Sequence, residues 1–251
     1  QWISGSMIEF TLLRGLGRES GHWGKFPELL KKSFPDCTVH CVDIPGSGAH
    51  LNEKSPLLLK KTAAAVKRHW QSKKCEKSVV LGVSLGGMIA LEWIHQAPQD
   101  FTHAVIVNSS IANLSWPLKR LQLPTLRMFA NTVMAAGPEQ REKAVLDFIA
   151  NHPEAQKEAL PAWAQVQKDR PISAINSLRQ IISAAAFRLK SKPTIPCLVL
   201  ASTRDRLCDP SCSLDLAKYL DSPIAFHPTA GHDLTTDDPQ WVIEQLKNFL
   251  A

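Results

Sequence analysis

The segment Gly82–Gly86 reads Gly-Val-Ser-Leu-Gly and lies between a strand-like and a helix-like pattern of apolar residues. The apolar run Val79–Leu81 predicts a buried strand before it, and the residues from Met88 to Ile94 predict a helix after it. A serine in a sharp strand-to-helix turn is backbone-strained, and the residues two positions away must be small for the turn to close. Such a turn exposes the hydroxyl at a helix N-terminus, where backbone N–H groups favour negative charge. We therefore predict that Ser84 is a nucleophile.

Two further side chains complete a candidate set for nucleophilic catalysis, because a serine hydroxyl needs a base and the base needs an orienting acid. Asp205 comes shortly after the apolar run 196–202, which predicts a strand with Asp205 just past its carboxyl end. His232 follows the short predicted strand 224–227 and precedes an amphipathic terminal helix. The order serine, acid, histidine is the one found where a serine occupies such a turn. The sequence therefore favours Asp205 and His232 as partners of Ser84.

Asp209 and Asp233 compete with Asp205 for the role of the acid. Asp209 precedes Pro210 and fits the N-cap of the next helix, because proline is tolerated at the first helical residue. Asp205 comes first after its strand. We therefore expect Asp205, rather than the other two, to orient His232.

Strands and helices alternate along most of the chain. Strands are predicted near 8–13, 37–43, 78–83, 103–108, 196–202 and 222–227, and helices near 25–34, 55–71, 85–97, 210–220 and 238–250. This alternation predicts an α/β fold with a doubly wound, mainly parallel sheet of about six strands. The gap between Asn108 and Pro196 is too long for a loop, and helical patterns fill it near 116–136, 138–151, 154–168 and 171–188. We expect a core at 7–110 and 193–251, with a helical lid at 111–192.

These motifs together resemble the α/β-hydrolase superfamily, in its compact esterase-like branch with a helical lid. Val42–Gly48 carries the pattern D-x-P-G-x-G after a strand, and Gly231-His232 is followed by Asp238-Pro239. The resemblance covers nearly the whole chain and includes carboxylesterases of the pimeloyl-carrier-protein methyl ester esterase type. It implies a nucleophilic serine, a histidine that is both general base and general acid, and an orienting carboxylate at the positions named above. The superfamily's two further N-terminal strands are expected to be missing.

The resemblance also implies an oxyanion hole made of two backbone N–H groups. One belongs to Leu85, directly after Ser84, and the other comes from the loop after the first strand, where Leu16 holds the corresponding position. The superfamily usually has His-Gly at the start of this loop, whereas this chain has Arg14-Gly15. Arg14 is expected either to tether the loop or to contact an anionic substrate.

Hydrolysis of a carboxylic ester is the favoured reaction, through an acyl-enzyme on Ser84. Haloalkane dehalogenases and most epoxide hydrolases of this superfamily use aspartate at the turn and are therefore excluded. The alternatives are a C–C bond hydrolase, a small-molecule lyase and a non-catalytic ligand-binding member. No cofactor is implied, and the absence of a C-x-x-C pair makes structural zinc unexpected.

The positive charge of the chain is concentrated in the predicted lid. Residues 111–196 contain 12 Lys and Arg against 6 Asp and Glu, whereas the whole chain has 29 and 23, so the remainder is balanced at 17 each. The excess is either a solvated helical surface or a basic rim that steers an anionic ester or an acidic acyl carrier protein. No pattern typical of a nucleic-acid-binding module is present.

Apolar residues are abundant near the start of the lid and either pack it onto the core or line an acyl pocket. They are Trp116, Leu118, Leu121, Leu123, Leu126, Met128 and Phe129. No apolar run is long enough to span a membrane, and the N-terminal residues lack a signal-peptide pattern. The six cysteines do not resemble a disulfide framework. A cytoplasmic location is therefore expected.

Overall fold

A computed structural model describes residues 7–70 and 75–251. The strands are β1 Ile8–Leu13, β2 Thr38–Cys41, β3 Lys77–Val83, β4 His103–Val107, β5 Cys197–Ser202 and β6 Ile224–His227. They form one sheet in the order β2-β1-β3-β4-β5-β6, and every neighbouring pair is parallel. The doubly wound parallel sheet is thus confirmed. The winding direction reverses between β1 and β3, and ligands of open α/β sheets bind at such a reversal, beyond the carboxyl ends of the strands.

Helices cover both faces of the sheet. They are α1 Phe26–Ser33, α2 Leu59–His69, α3 Leu85–Gln96, α4 Pro117–Arg120, α5 Pro124–Met134, α6 Pro138–Ile149, α7 Pro153–Asp169, α8 Ala174–Ala186, α9 Pro210–Leu220, α10 Leu234–Asp237 and α11 Pro239–Leu250. Side chains alternate between the faces of β3: Val80 packs with α2 and α3, whereas Val79 and Leu81 pack with α1 and α11. Burial on both faces explains the continuously apolar strands.

Helices α4 to α8 lie between β4 and β5, in the segment predicted to be the lid. The predicted helix 116–136 is divided into α4 and α5, because Leu121 is extended (φ −137°, ψ 100°) and a new helix starts with Pro124 at its first position. The lid has its own apolar cluster, which contains Met128, Leu146 and Trp163 with Phe129 packed against it. The boundaries at 110 and 193 stay a prediction.

Six of the seven apolar residues at the start of the lid fall into two groups, and the seventh, Leu121, is half-buried. Met128 and Phe129 pack inside the lid. Trp116, Leu118, Leu123 and Leu126 are exposed, with Trp116 retaining 78% of its accessible surface. These four side chains therefore do not pack the lid onto the core. None of the described helices has the length and apolar character needed to cross a membrane.

Candidate active site

Ser84 occupies a strained turn between β3 and α3. Its backbone has φ 56° and ψ −116°, a conformation that non-glycine residues rarely adopt and that costs on the order of 1–3 kcal/mol. The flanking glycines are required by space: a Cβ on Gly86 would lie 2.1 Å from the carbonyl oxygen of Leu13, and one on Gly82 would lie 2.3 Å from that of Gly86. The predicted turn is therefore present, with the half-buried serine at the N-terminus of a helix.

His232 and Asp205 are in direct contact. Nδ1 of His232 lies 2.6 Å from Oδ2 of Asp205, and both side chains are buried. The other carboxylate oxygen, Oδ1, accepts hydrogen bonds from the backbone N–H groups of Leu207 at 2.8 Å and Cys208 at 3.0 Å. The turn after β5 thus holds the carboxylate in one orientation toward the imidazole.

The two competing aspartates have other partners. Asp209 accepts a hydrogen bond from the backbone N–H of Ser211 and caps α9, as its position before Pro210 predicts. Asp233 binds Arg14 and caps α10. Asp205, the residue expected from the sequence, is therefore the aspartate that contacts the imidazole of His232.

The pKa of His232 is set by opposing effects. Burial by itself lowers it, but the charge and hydrogen bond of Asp205, with a smaller contribution from Asp233, raise the pKa above the ordinary value of a histidine. The imidazolium form is therefore stabilised, as a group that takes a proton during a reaction requires.

Ser84 and His232 are not joined by a hydrogen bond in this structure. Both lie at the carboxyl-terminal edge of the sheet, and contacts of this kind often form only when substrate is bound. Gly15 lies against the serine, since a Cβ on Gly15 would come within 3.3 Å of the Cβ of Ser84. Among the hydrogen bonds of the described residues, none is donated by the N–H groups of Leu16 or Leu85. Both predicted oxyanion donors are therefore available.

Arg14 tethers the loop that contains Leu16. Its Nη2 lies 2.5 Å from Oδ2 of Asp233, and its Nη1 donates to Oδ1 of the same carboxylate and to the hydroxyl of Thr235. The guanidinium is 4% exposed and lies 4.8 Å from the ring centroid of Trp23. A guanidinium enclosed in this way has no room for an anionic substrate, so the tether is the role that the geometry supports.

Two ion pairs attach the lid to the same loop. Arg18 pairs with Glu142 of α6, and Arg170, at the end of α7, pairs with Glu19 at 2.8 Å. The Glu142 and Glu19 side chains are almost fully buried. Lid helices α6 and α7 are therefore fixed to the loop that carries one oxyanion donor.

Two residues that position His232 were not predicted from the sequence. Nδ2 of Asn108, at the end of β4, donates to the backbone carbonyl of His232 at 2.7 Å. The carboxylate of Asp237 accepts the N–H of Gly231 at 2.6 Å and that of Asn151 in the lid. Asn108 has a positive φ of 44°, which asparagine adopts more readily than most residues. The only sequence signal for its role was that a polar residue stands at the end of a strand.

The active site contains no group with metal-ligand geometry. In residues 7–70 and 75–251, the group of His, Cys, Asp and Glu side chains that could hold an ion comprises His50, Glu53 and His69, none of which belongs to this site.

Relatives of known name match most of the chain. A protein from Chromobacterium violaceum named pimeloyl-[acyl-carrier protein] methyl ester esterase is 24% identical over 229 residues, covering 89% of this chain and 87% of the relative. A protein of the same name from Xylella fastidiosa is 28% identical over 217 residues, covering 79% of this chain and 77% of the relative.

Solved structures share the fold at low identity. An esterase from Exiguobacterium antarcticum matches with a TM-score of 0.76 and 16% identity, covering 98% of this chain and 92% of that one. An esterase from Rhodococcus matches with a TM-score of 0.70 and 19% identity, covering 97% and 90%. A sequence model of the alpha/beta hydrolase family matches residues 12–245. The chain belongs to the alpha/beta hydrolase family.

Proposed function

We propose that this protein is a serine esterase that cleaves a carboxylic ester through an acyl-enzyme on Ser84. The observation that carries the proposal is the buried 2.6 Å contact between His232 and Asp205, beside a strained turn with a half-buried serine. A buried aspartate that fixes the imidazole through Nδ1 leaves Nε2 to accept the serine proton. The relatives named as esterases support the same reaction class.

The reaction proceeds in two stages. His232 takes the proton of the Ser84 hydroxyl as the oxygen attacks the ester carbonyl, and the N–H groups of Leu16 and Leu85 bind the resulting oxyanion. Collapse breaks the bond to the alcohol, which leaves with the proton from His232. Water, deprotonated by the same imidazole, then attacks the acyl-serine and releases the acid. Asp205 stays ionised and stabilises the imidazolium in both stages.

The ester is delivered on an acyl carrier protein. The relatives carry this substrate class in their names. Residues 111–138 contain no Asp or Glu, whereas Lys119 and Arg127 are exposed in the same segment as the exposed side chains of Trp116 and Leu118. A surface that combines positive charge with exposed apolar groups complements an acidic protein partner.

Active-site labelling tests the assignment of the nucleophile. A fluorophosphonate should label the wild-type protein and not Ser84→Ala, and the same variant should lose hydrolysis of p-nitrophenyl esters by about 10⁴-fold or more in kcat. Ser109→Ala is the matched control, because Ser109 donates its hydroxyl to the carbonyl of Ser84 at 2.8 Å and lies beside the turn. Labelling that persists in Ser84→Ala would refute the proposal.

A further inference from the structure

Three potential metal ligands converge on the surface away from the active site. His50 ends a short 3-10 turn, Glu53 follows it in the same loop, and His69 is the last residue of α2. Nδ1 of His50 lies 3.0 Å and Nε2 of His69 lies 3.5 Å from Oε1 of Glu53. The sequence spacing of these residues matches no ligand motif, so the convergence is a product of the fold.

The separations match the coordination sphere of a small divalent ion. Ligand atoms about 2.0–2.2 Å from a tetrahedral Zn²⁺ are roughly 3.3–3.5 Å apart. The two measured separations lie close to this range, and the three ligand atoms are within 4.8 Å of one another. The imidazoles of His50 and His69 are stacked at a centroid distance of 3.4 Å and an interplanar angle of 12°. A metal ion lies in the plane of each imidazole that binds it, so at least one of the two rings has to rotate out of the stack for all three side chains to reach one ion.

The orientation of the His69 ring suits a ligand. Nδ1 of His69 is buried and has no hydrogen-bond partner in the described part of the chain, which leaves Nε2 facing the carboxylate.

The loop that carries two of the ligands is held in place. The backbone carbonyl of His50 accepts the N–H groups of Gly46 at 2.9 Å and Glu53 at 3.0 Å. Nδ2 of Asn176, on lid helix α8, donates to the carbonyl of Glu53 at 3.1 Å. The backbone that carries His50 and Glu53 is thus held in place before an ion binds, which reduces the entropy lost on binding to that of the side chains.

An open cavity of about 310 Å³ borders Glu53 and gives a hydrated ion access to its carboxylate. Lys54, Lys61 and Arg68 also line the cavity. Their positive charge opposes a cation, so the ion has to be bound by direct coordination rather than by the local field.

We propose that His50, Glu53 and His69 bind a divalent transition-metal ion, with water in the remaining coordination position. Two imidazoles and one carboxylate are ligands that zinc and its first-row neighbours accept, whereas magnesium and calcium prefer oxygen ligands alone. The ion would link the loop after β2, helix α2 and, through Asn176, the lid.

Calorimetric titration of the full chain with Zn²⁺ tests the proposal. We expect saturable binding of one ion per chain in the wild-type protein, and affinities lower by about 100-fold or more in Glu53→Gln and His69→Gln. His95→Gln is the control, because His95 is an exposed histidine on α3 and should leave the affinity unchanged. The proposal is overturned if no saturable binding is seen. It is also overturned if all four proteins bind Zn²⁺ with equal affinity, because binding to thiols would give that result.

Thermal unfolding distinguishes a lost ligand from a lost fold. A ligand that binds only the native state raises the melting temperature, by an amount that grows with the logarithm of its concentration once that concentration exceeds Kd. Zn²⁺ should raise the melting temperature of the wild type and of His95→Gln reversibly with a chelator, and should leave Glu53→Gln unaffected. Glu53→Gln keeps a hydrogen-bond acceptor for His50, so its metal-free melting temperature should stay near that of the wild type. An equal Zn²⁺ response in Glu53→Gln contradicts the assignment.

Discussion

Arg14 and Asp233 form a buried ion pair across 219 positions of sequence, with Nη2 of Arg14 2.5 Å from Oδ2 of Asp233. The arginine begins the loop that supplies one oxyanion donor, and the aspartate directly follows His232. The charge and hydrogen bond of Arg14 overcome the effect of burial and hold the pKa of Asp233 below its ordinary value. One ion pair therefore joins the two loops on which the proposed chemistry depends.

Removing either partner of this pair should destabilise the protein strongly. Asp233→Leu leaves an uncompensated buried guanidinium and Arg14→Met leaves an uncompensated carboxylate, each at a cost of about 3–5 kcal/mol in the free energy of unfolding. The double variant should cost much less than the sum of the two. Urea unfolding of the four proteins measures the difference, and additive effects would show that the pair is not coupled.

Asp205 and Asp209 should respond differently to the same substitution. Asp205→Asn removes the carboxylate that orients His232 and should lower kcat by about 10⁴-fold. Asp209→Asn alters only the cap of α9 and should change stability by less than about 1 kcal/mol with kcat preserved. Steady-state kinetics and thermal unfolding of both variants check this expectation, and the reverse pattern would contradict it.

The pH dependence of kcat/KM should have its rising limb above pH 6.5, the approximate ordinary pKa of histidine. The base is active when neutral, and the raised pKa of His232 keeps it protonated to a higher pH, so activity increases through that higher window. In Asp205→Asn the residual activity should rise at a lower pH, because the carboxylate that raises the pKa is gone. Profiles recorded with Asp209→Asn should superimpose on the wild type, and a flat wild-type profile would exclude a histidine base.

Positive charge on the lid should speed the association of acidic substrates. Lys119→Gln/Arg127→Gln should reduce kcat/KM several-fold for an ester with a distal carboxylate, at low salt only, and should leave kcat and a neutral ester unchanged. Lys31→Gln/Lys32→Gln, which removes two exposed charges from α1, is the matched control. If the two esters respond identically to salt, the positive charge of the lid belongs to a solvated surface and does not steer the substrate.

Arg120 is left out of that variant because the structure gives it a different role. Its guanidinium donates to the backbone carbonyls of Ala184 at 2.7 Å and Ala185 at 2.9 Å, at the end of α8. Neutralising Arg120 would loosen the lid as well as change its charge. From the sequence alone, Arg120 would have been grouped with the surface charges Lys119 and Arg127.

Features set by neighbouring residues could be predicted from the sequence. The turn at Ser84 needs small residues two positions away, and the strand and helix around it have distinct periodicities. Asp205 and His232 could be located because each follows a strand of a parallel sheet, whose carboxyl ends meet at one edge.

Contacts between residues distant in sequence could not be predicted. No local pattern shows that Arg14 meets Asp233, that Asn108 holds the carbonyl of His232, or that His50 and His69 stack. Each depends on how elements separated by tens to hundreds of residues pack. The division of the predicted helix 116–136 is a smaller failure, because a proline such as Pro124 is favoured at the first position of a helix.

The junction between α6 and α7 is fastened to the loop that carries His232. The backbone carbonyl of Ile149 accepts the N–H of Asp233 at 2.8 Å, and a Cβ on Gly231 would lie 2.6 Å from that same carbonyl oxygen. An insertion or deletion here would displace the histidine together with the lid. Divergence of substrate range among homologues should therefore concentrate in α4, α5 and α8, and libraries for altering selectivity should randomise those helices and spare this junction.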